Sequence, residues 1–332
     1  MRADGVIFEV REFCLHDGPG IRTTVFFKGC PLRCAWCHNP EGLSSEPQLL
    51  VNPATCTHCG ACSKVCPLGP EQEQRHSDGA HAAYHRTVSS PGATPRRGEG
   101  PARGRACAKD DAQTVFRPAA CTACGACVAV CAQGCRRLCG RRVTAEALAT
   151  ELRANESFFM TYQGGITFSG GEPLAQIDFL EALAAQLRPI HLALETSGFA
   201  PLKNYRRAIQ SVDWVFQDLK HPDPAEHKRY TGVDLKPILD NLAWLKASGR
   251  PFVARIPLIP GVNDAPATLD RFAALLQGPS GLTSVELLPY HLTAGAKYPL
   301  LGQTYHPPFD PSRPLAPDLT AFTSRGLPCR VM

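Results

Sequence analysis

The chain has 332 residues, of which 44% are hydrophobic, so it can form one large domain or a large domain that carries a smaller insertion. Its net charge of +5 is well below the charge density of nucleic-acid-binding proteins, and we expect no nucleic-acid partner. Because no apolar run approaches the roughly 20 residues of a membrane helix and the N-terminus shows no signal-peptide pattern, we also expect a cytoplasmic protein without a membrane partner.

The 16 cysteines are the most informative feature of the composition. In a reducing compartment, clustered cysteines hold metal more often than they form disulfides. The sequence divides into three regions. Region 1–51 contains a strand and a cysteine loop, region 52–140 is dense in cysteines, and region 141–332 alternates strand and helix patterns.

The first predicted strand, at 22–28, leads directly into a loop that contains Cys30, Cys34 and Cys37 in the spacing C-x3-C-x2-C. Iron–sulfur cubes usually take four thiolates, so three thiolates leave one iron of a [4Fe–4S] cluster without a protein ligand. Such an open iron can bind a substrate, as the open position of a catalytic zinc site does. A zinc knuckle and incidental cysteines are the alternatives at this point.

The second region contains two runs with the spacing C-x2-C-x2-C-x3-C, which is the pattern of bacterial two-cluster ferredoxins. In those proteins the fourth cysteine of each run ligates the cluster of the other run. The pattern therefore predicts cluster one on Cys56, Cys59, Cys62 and Cys131, and cluster two on Cys121, Cys124, Cys127 and Cys66. Two zinc sites are the alternative, and they fit eight cysteines in this arrangement poorly.

The second run departs from the ferredoxin pattern. Ala132 replaces the proline that usually follows the fourth cysteine, and either Cys135 or Cys139 is an alternative to Cys131 as a ligand. The two runs are also far apart, because a stretch at 70–106 rich in Gly, Pro, Ser and Arg lies between them. That stretch has too few large apolar side chains to offset its ordering entropy, so we predict a flexible linker.

The third region alternates strand patterns with helix patterns. The predicted strands are 166–170, 191–198, 214–220, 252–261 and 284–291, and the predicted helices are 174–187, 201–210, 235–248 and 266–277. With the strand at 22–28, this makes six β units. Such alternation implies parallel strands with right-handed crossovers. We predict an α/β fold: a partial (β/α)6 barrel formed by 1–51 and 141–332, with a two-cluster ferredoxin-like domain inserted at 52–140.

Glycines and polar side chains fall at the ends of these strands, where the active sites of parallel barrels lie. They are Gly170, Gly171 and Glu172 after the second strand, Glu195 at the end of the third, Asp218 and Lys220 at the end of the fourth and His291 at the end of the sixth; Arg255 lies within the fifth. We expect them to share one rim with the cysteine loop. The alternative is that the charged groups form structural ion pairs and that the histidine belongs to the core.

The N-terminal 50 residues resemble the activating enzymes of glycyl radical enzymes, a family of the radical S-adenosylmethionine superfamily that includes pyruvate formate-lyase activase. The resemblance rests on HDGPGIRTTVFFKGC at 16–30, on Trp36 before the third cysteine and on HNPEG at 38–42. It extends more loosely over the barrel from about 140 to 310. It implies that Cys30, Cys34 and Cys37 hold the cluster that cleaves S-adenosylmethionine reductively.

The same resemblance implies roles for other residues. It implies that Gly170, Gly171 and Glu172 contact the methionine amine of S-adenosylmethionine, and that Lys220 and Arg255 contact its carboxylate and nearby polar groups. It also implies that Glu195 lies near the ribose or a bound cation. Further contacts to the cofactor are expected from Trp36, Asp218 and His291. In the DGPG-x-R element, Asp17, Gly18 and Arg22 are expected to help seat the glycine loop of the partner.

The resemblance as a whole implies an oxygen-sensitive, anaerobic oxidoreductase that removes a hydrogen atom from a backbone glycine of a partner glycyl radical enzyme. It implies one radical cluster, two auxiliary clusters that relay electrons from flavodoxin or ferredoxin, and a monomer. A docking role for the insertion is an open alternative. Two other functions remain as alternatives: a radical enzyme acting on a small molecule, and a non-catalytic iron–sulfur electron carrier.

Overall fold

The computed structural model describes residues 3–69 and 120–332, so the linker predicted at 70–106 lies outside the described residues. The chain forms two compact units. The larger consists of Met1–Leu50 and Leu138–Met332, and the smaller consists of Val51–Arg137. In the described part of the chain, no helix combines the length and the hydropathy needed to cross a bilayer.

The larger unit is built on one extensive β-sheet. In chain order, the strands of the described residues are β1 (Asp4–Cys14), β2 (Arg22–Phe27), β3 (Gln48–Val51), β4 (Arg136–Cys139), β5 (Arg141–Thr144), β6 (Gly165–Gly170), β7 (Leu192–Thr196), β8 (Trp214–Asp218), β9 (Phe252–Leu258), β10 (Leu282–Pro289) and β11 (Cys329–Val331). Nine of them form the sheet β11-β10-β9-β8-β7-β6-β2-β1-β5, and β3 pairs with β4 separately. The six strands from β2 to β10 in this sheet run parallel. They confirm the predicted partial (β/α)6 barrel.

Helices connect the parallel strands. The described helices are α1 (Ala61–Lys64), α2 (Ala126–Ala129), α3 (Ala145–Arg153), α4 (Glu156–Thr161), α5 (Ile177–Leu187), α6 (Leu202–Gln210), α7 (Pro224–Thr231), α8 (Lys236–Ala247), α9 (Pro266–Leu276) and α10 (Thr320–Thr323). The helix predicted at 174–187 is a 3₁₀ turn at Pro173–Gln176 followed by α5. The prediction missed six helices (α1, α2, α3, α4, α7 and α10) and five strands (β1, β3, β4, β5 and β11) of the described residues. Of these, β1 pairs antiparallel with both β2 and β5.

The two faces of the parallel sheet have different chemistry because successive side chains of a strand point to opposite faces. On β2 and β6, Val25, Phe27 and Phe168 belong to the main hydrophobic core, together with the apolar faces of the helices. The alternate residues Thr24 and Thr167 are polar, buried and level with each other in the register. The sheet therefore presents a polar inner face, and this face carries most of the candidate site.

The smaller unit repeats one backbone conformation in its two cysteine runs. In the first run His58 and Gly60 have φ values of +54° and +72°, and in the second run Ala123 and Gly125 have +53° and +84°. Each glycine directly precedes a one-turn helix, α1 or α2. Left-handed backbone is easy for glycine and uncommon for other residues, so its appearance at matching positions shows that the runs are structural repeats.

Candidate active site

The loop of Cys30, Cys34 and Cys37 is fixed by backbone hydrogen bonds on two sides. Gly29 N–H donates to the carbonyl of Gly42 at 2.8 Å, so the loop starts on the 3₁₀ turn Pro40–Gly42. Further along, Ala35 N–H donates to the carbonyl of Tyr230 at 2.9 Å, near the end of α7. Trp36 is 4% exposed and packs against Tyr230 and Ile259.

The three thiols of this loop lie in a partly buried, charged environment. Burial, with the charge of neighbouring Cys34, raises the pKa of Cys37 to about 12, and burial also raises the pKa of Cys30 and Cys34. The ammonium of Lys220 opposes this effect at Cys34 and Cys37. Three ionised thiols would need additional positive charge here, and the irons of a cluster supply it.

The three-thiol donor set fits a [4Fe–4S] cluster. Among residues 3–69 and 120–332, no three His, Cys, Asp or Glu side chains converge on one point as the ligands of a single metal ion would. A cluster distributes its cysteine ligands over separate irons, so its thiols need not converge.

The glycine pair after β6 allows close contact with the cysteine loop. Gly170 has a φ of +116°, and a Cβ on it would lie 2.3 Å from the backbone nitrogen of Phe27. A Cβ on Gly171 would lie 2.5 Å from the carbonyl oxygens of both Gly29 and Gly42. The absence of side chains therefore lets the end of β6 touch the start of the cysteine loop.

Glu172 is buried, and its carboxylate is saturated with internal hydrogen bonds. Oε1 accepts from Leu174 N–H at 3.1 Å and from the Thr196 hydroxyl at 2.7 Å. Oε2 accepts from Ser197 N–H at 2.9 Å and from the Ser197 hydroxyl at 2.5 Å. Burial raises the pKa of Glu172, and these hydrogen bonds oppose the rise. In this structure the carboxylate joins the end of β6 to the end of β7.

Two ion-pair groups lie on the inner face of the sheet. Asp218 and Lys220 pair at 2.9 Å and are 19% and 15% exposed. Arg255 donates from Nη1 to Glu195 at 2.7 Å and from Nε to Glu286 at 2.9 Å, and its guanidinium lies 3.7 Å from the centre of the Phe216 ring. The structure thus places the charged residues in ion pairs, the arrangement that the sequence left as an alternative.

Lys220 keeps its charge in this environment. Burial opposes ionisation, but the charges of Asp218 and Cys34 raise the pKa of Lys220 above its ordinary value. The carboxylate of Glu195 has a lowered pKa because Arg255, together with a hydrogen bond from Ser169 at 2.5 Å, outweighs the effect of burial. Lys220 therefore stays cationic near the thiols, and the charge of Arg255 is neutralised by the carboxylates of Glu195 and Glu286.

His291 lies apart from these ion pairs, on the exposed surface beyond β10. Its Nδ1 is 2.8 Å from the hydroxyl of Thr293, at the start of the 3₁₀ helix Leu292–Leu301. Within the same region, His38 packs edge-on against the ring of Tyr290 at 6.0 Å, and its pKa is lowered by burial and by the nearby His291 and Lys297.

The DGPG-x-R element joins the polar inner face to the amino ends of the strands. Asp17 accepts a 2.5 Å hydrogen bond from the Thr24 hydroxyl, and its carbonyl accepts a 2.7 Å bond from Thr167. Arg22 is fully buried and donates to Thr167 and to the carbonyl of Ile166, both at 2.6 Å. Gly18 has a φ of +142°. Arg22 also donates a 3.0 Å hydrogen bond to the carbonyl of Pro19, so it ties the loop to β6, while residues 15, 16, 19 and 20 stay exposed.

Several polar residues of this face were not among the residues predicted from the sequence. Thr24, Thr167, Ser169 and Glu286 contact predicted site residues through the hydrogen bonds described above. Arg255 also donates to the carbonyl of His16. A period-two alternation of polar side chains in strands that are otherwise apolar was the signal that could have identified them.

In the smaller unit, five cysteines line one cavity of about 230 Å³: Cys56, Cys59, Cys62, Cys131 and Cys135. The sulfurs of Cys131 and Cys135 are 3.3 Å apart. Of the residues predicted for cluster two, Cys127 has a pKa raised by burial and feels the charges of Cys121 and Cys62. Cys66 and Cys124 do not line the cavity.

Cys139 lies elsewhere, in a small apolar cluster of the larger unit with Leu50 and Leu301. Of the two alternatives to Cys131, the structure therefore brings only Cys135 to the cavity.

Three parts of the chain match models of known protein families. Residues 121–273 match the radical SAM superfamily, 48–132 match a 4Fe-4S dicluster domain, and 16–64 match a 4Fe-4S single cluster domain. Among solved structures, a domain of a pyruvate-formate lyase-activating enzyme from Bacteroides vulgatus has a TM-score of 0.41 and 26% identity, covering 51% of this chain and 99% of that one.

Curated relatives match over nearly the whole chain. The choline trimethylamine-lyase activating enzyme of Oleidesulfovibrio alaskensis is 35% identical over 90% of this chain and 88% of its own length. The benzylsuccinate synthase activating enzyme of Thauera aromatica is 34% identical over 97% and 91%. The 4-hydroxyphenylacetate decarboxylase activating enzyme of Clostridioides difficile is 31% identical over 91% and 87%. With its barrel, its [4Fe–4S] domains and these relatives, the chain belongs to the glycyl radical enzyme activating enzymes of the radical S-adenosylmethionine superfamily.

Proposed function

We propose that Cys30, Cys34 and Cys37 hold the radical cluster and leave one iron open for the amine and carboxylate of S-adenosylmethionine. A reduced cluster held there would supply the one electron needed to break the sulfonium C–S bond, which yields methionine and a 5′-deoxyadenosyl radical. The observation that carries the proposal is the placement of three partly buried thiols near the charged Lys220, in a loop fixed by backbone hydrogen bonds on two sides.

Charge and hydrogen bonding support a more specific proposal for the cofactor contacts. Lys220 is the proposed partner of the S-adenosylmethionine carboxylate, because it is charged and lies near the cysteine loop. All three nitrogens of Arg255 already donate to protein groups, so we propose that it acts through Glu195, which it orients. Because the Glu172 carboxylate is saturated, we propose that it fixes the Gly170–Gly171 turn against β7 and does not bind the amine itself.

Trp36, Asp218 and His291 have supporting roles in the proposal. Trp36 anchors the cysteine loop, of which it is part, against Tyr230 and Ile259, and Asp218 accepts a hydrogen bond from the ammonium of Lys220. His291 remains a proposed cofactor contact, exposed beyond the end of β10. Together, these residues position the cofactor for cleavage.

The proposed substrate is a backbone glycine of a glycyl radical enzyme, which loses a hydrogen atom to the 5′-deoxyadenosyl radical. We propose that its glycine loop is seated by the segment around Asp17 and Gly18, which is exposed yet held to the sheet through Thr24 and Thr167. The names of the relatives specify activation of different enzymes, which supports the class of partner.

For the insertion, 52–140, we propose an electron relay. Cluster one would use Cys56, Cys59, Cys62 and Cys131, and cluster two Cys121, Cys124, Cys127 and Cys66. The five-cysteine cavity supports cluster one. We further propose flavodoxin or ferredoxin as electron donor, a monomer, and a cytoplasmic location, since a reducing compartment keeps so many thiols available for metal.

The test is anaerobic reconstitution with iron and sulfide, followed by dithionite and S-adenosylmethionine. We expect 5′-deoxyadenosine from the wild-type protein and none from Cys34→Ala. Adding the glycyl radical enzyme encoded nearby should give a glycyl EPR doublet, and a partner whose glycine is replaced by alanine should give none.

The same assay separates the alternatives. An electron carrier yields no 5′-deoxyadenosine under any of these conditions. A radical enzyme for a small molecule cleaves S-adenosylmethionine but gives no doublet with the partner. Either result would refute the proposed function.

A further inference from the structure

The cavity of the smaller unit contains one more cysteine than a [4Fe–4S] cluster ligates. The backbone repeat shows which of its cysteines is additional. Cys66 and Cys131 occupy equivalent positions after α1 and α2, and their carbonyls accept 3.0 Å hydrogen bonds from Gly69 and Gly134, respectively. Cys135 follows this turn in the second run and has no place in the repeated cysteine pattern.

The separation of Cys131 and Cys135 excludes joint ligation of one cluster. Their sulfurs are 3.3 Å apart, which is within hydrogen-bonding range. Cysteine sulfurs on different irons of a cube project outwards from its separate corners and are much farther apart than this. Only one of the two can therefore be a ligand, and the other must lie directly against it.

The second of these thiols is held firmly in place. Cys135 is 6% exposed, and its carbonyl accepts a 2.7 Å hydrogen bond from Asn52 N–H. It lines the cavity together with Cys56. A fixed, buried thiol next to a ligand sulfur is well placed to donate a hydrogen bond to it.

We propose that Cys131 ligates auxiliary cluster one and that Cys135 remains a thiol, donating an S–H···S hydrogen bond to the ligating sulfur. This inference rests on the ligand set proposed above for cluster one. Hydrogen bonds to cluster sulfurs stabilise the more negative, reduced state and raise the reduction potential. Cys135 is thus a positioning residue that adjusts the potential of the relay, and its proximity makes it the substitute ligand when Cys131 is removed.

The test uses the full chain with Cys30, Cys34 and Cys37 replaced by alanine, so that only the auxiliary clusters contribute. Iron and sulfide analysis, Mössbauer spectra and an EPR-monitored redox titration are the measurements. The parent should hold about eight irons per chain, as expected for two [4Fe–4S] clusters.

In this background, Cys135→Ala should keep about eight irons and shift one cluster to a lower potential. Cys135→Ser, which keeps a hydroxyl donor, should restore most of that shift. Cys131→Ala should also keep about eight irons because Cys135 replaces the ligand, whereas the double variant should keep about four. Cys139→Ala, another buried cysteine, is the matched control and should change neither quantity.

Three results would overturn the inference. Loss of one cluster in Cys135→Ala would make Cys135 the ligand, and an unchanged potential would make its role merely structural. Loss of a cluster in Cys131→Ala alone would remove the substitute-ligand role. Cys56→Ala tests the underlying ligand set: if it retains both clusters, the set itself is wrong, independently of Cys135. Retention of the cluster-two signal shows that a variant has folded.

Discussion

We expect Arg255→Met to lower the free energy of unfolding of the barrel much more than the substitution of an exposed arginine does. Arg255 is 5% exposed in its side chain and bonds two carboxylates, those of Glu195 and Glu286. Methionine keeps much of the side-chain length and the contact with Phe216 but removes every donor. The substitution therefore removes the buried cation from both carboxylates, and Glu286 keeps only its pair with the exposed Arg330.

The size of the effect follows from burial. Removing one partner of a buried ion pair costs about 3–5 kcal/mol, because the other charge remains buried without compensation. Arg330 provides a matched control, since it bonds the same Glu286 at 2.5 Å but is 63% exposed. The Arg330 guanidinium lies in water, and Glu286 keeps its pair with Arg255 in this variant, so Arg330→Met should cost less than about 1 kcal/mol.

The assay is urea unfolding of both variants under anaerobic conditions, followed by circular dichroism, with m-values compared to verify a common transition. We expect the free energy of unfolding to fall about 3–5 kcal/mol for Arg255→Met and less than about 1 kcal/mol for Arg330→Met. Equal losses for the two variants would show that the buried network does not stabilise the sheet, and the reasoning from burial would be wrong.

Three further predictions concern the cysteine loop, pH and the partner. Gly171→Ala places a Cβ against two carbonyls of the loop region. It should lower the iron content towards the roughly eight irons of the two auxiliary clusters and reduce 5′-deoxyadenosine formation at least about tenfold. Gly249→Ala, whose Cβ meets nothing within 4 Å, should cost only about 1–2 kcal/mol of stability, measured by urea unfolding. Burial lowers the pKa of His227, so the folded chain favours the neutral imidazole. The free energy of unfolding should therefore fall as the pH drops below about 6.5, by at most about 1.4 kcal/mol per pH unit from this residue. Urea unfolding of His227→Gln should show a smaller fall over the same pH range. Leu15→Ser, at a site 64% exposed beside Asp17, should weaken glycyl radical formation on the partner while 5′-deoxyadenosine formation without partner stays unchanged.

The parallel core could be predicted from the sequence because its signals are local. Each of the six parallel strands is a short apolar run followed by a turn, and the four predicted helices have helical apolar spacing within one segment. The strands β1 and β5 were missed because antiparallel pairing between residues 4–7 and 141–144 joins distant parts of the chain. Their own segments carry no turn signal that would reveal the pairing.

The candidate site was predictable as a set of residues but not as a set of contacts. The positions at strand ends identified Glu195 and Asp218, since topology alone brings such positions together. Arg255 was identified within its strand, as the structure has it. Sequence could not show that Glu172 is saturated by Thr196 and Ser197, because those partners lie on the next strand. The hydrogen-bond partners of a buried carboxylate depend on side-chain placement, which spacing does not specify.

Arg255 contacts both a proposed cofactor residue and the segment proposed to seat the partner glycine. Its guanidinium orients Glu195, a proposed cofactor residue, and also donates to the carbonyl of His16 in the segment proposed to seat the partner glycine. A misplaced Arg255 would thus disturb both ends of the hydrogen-atom transfer. If this coupling operates, Arg255→Lys, which keeps the charge but cannot bridge both groups, should lower glycyl radical formation by a larger factor than 5′-deoxyadenosine formation without partner. Equal losses in the two assays would limit the role of Arg255 to cofactor binding and stability.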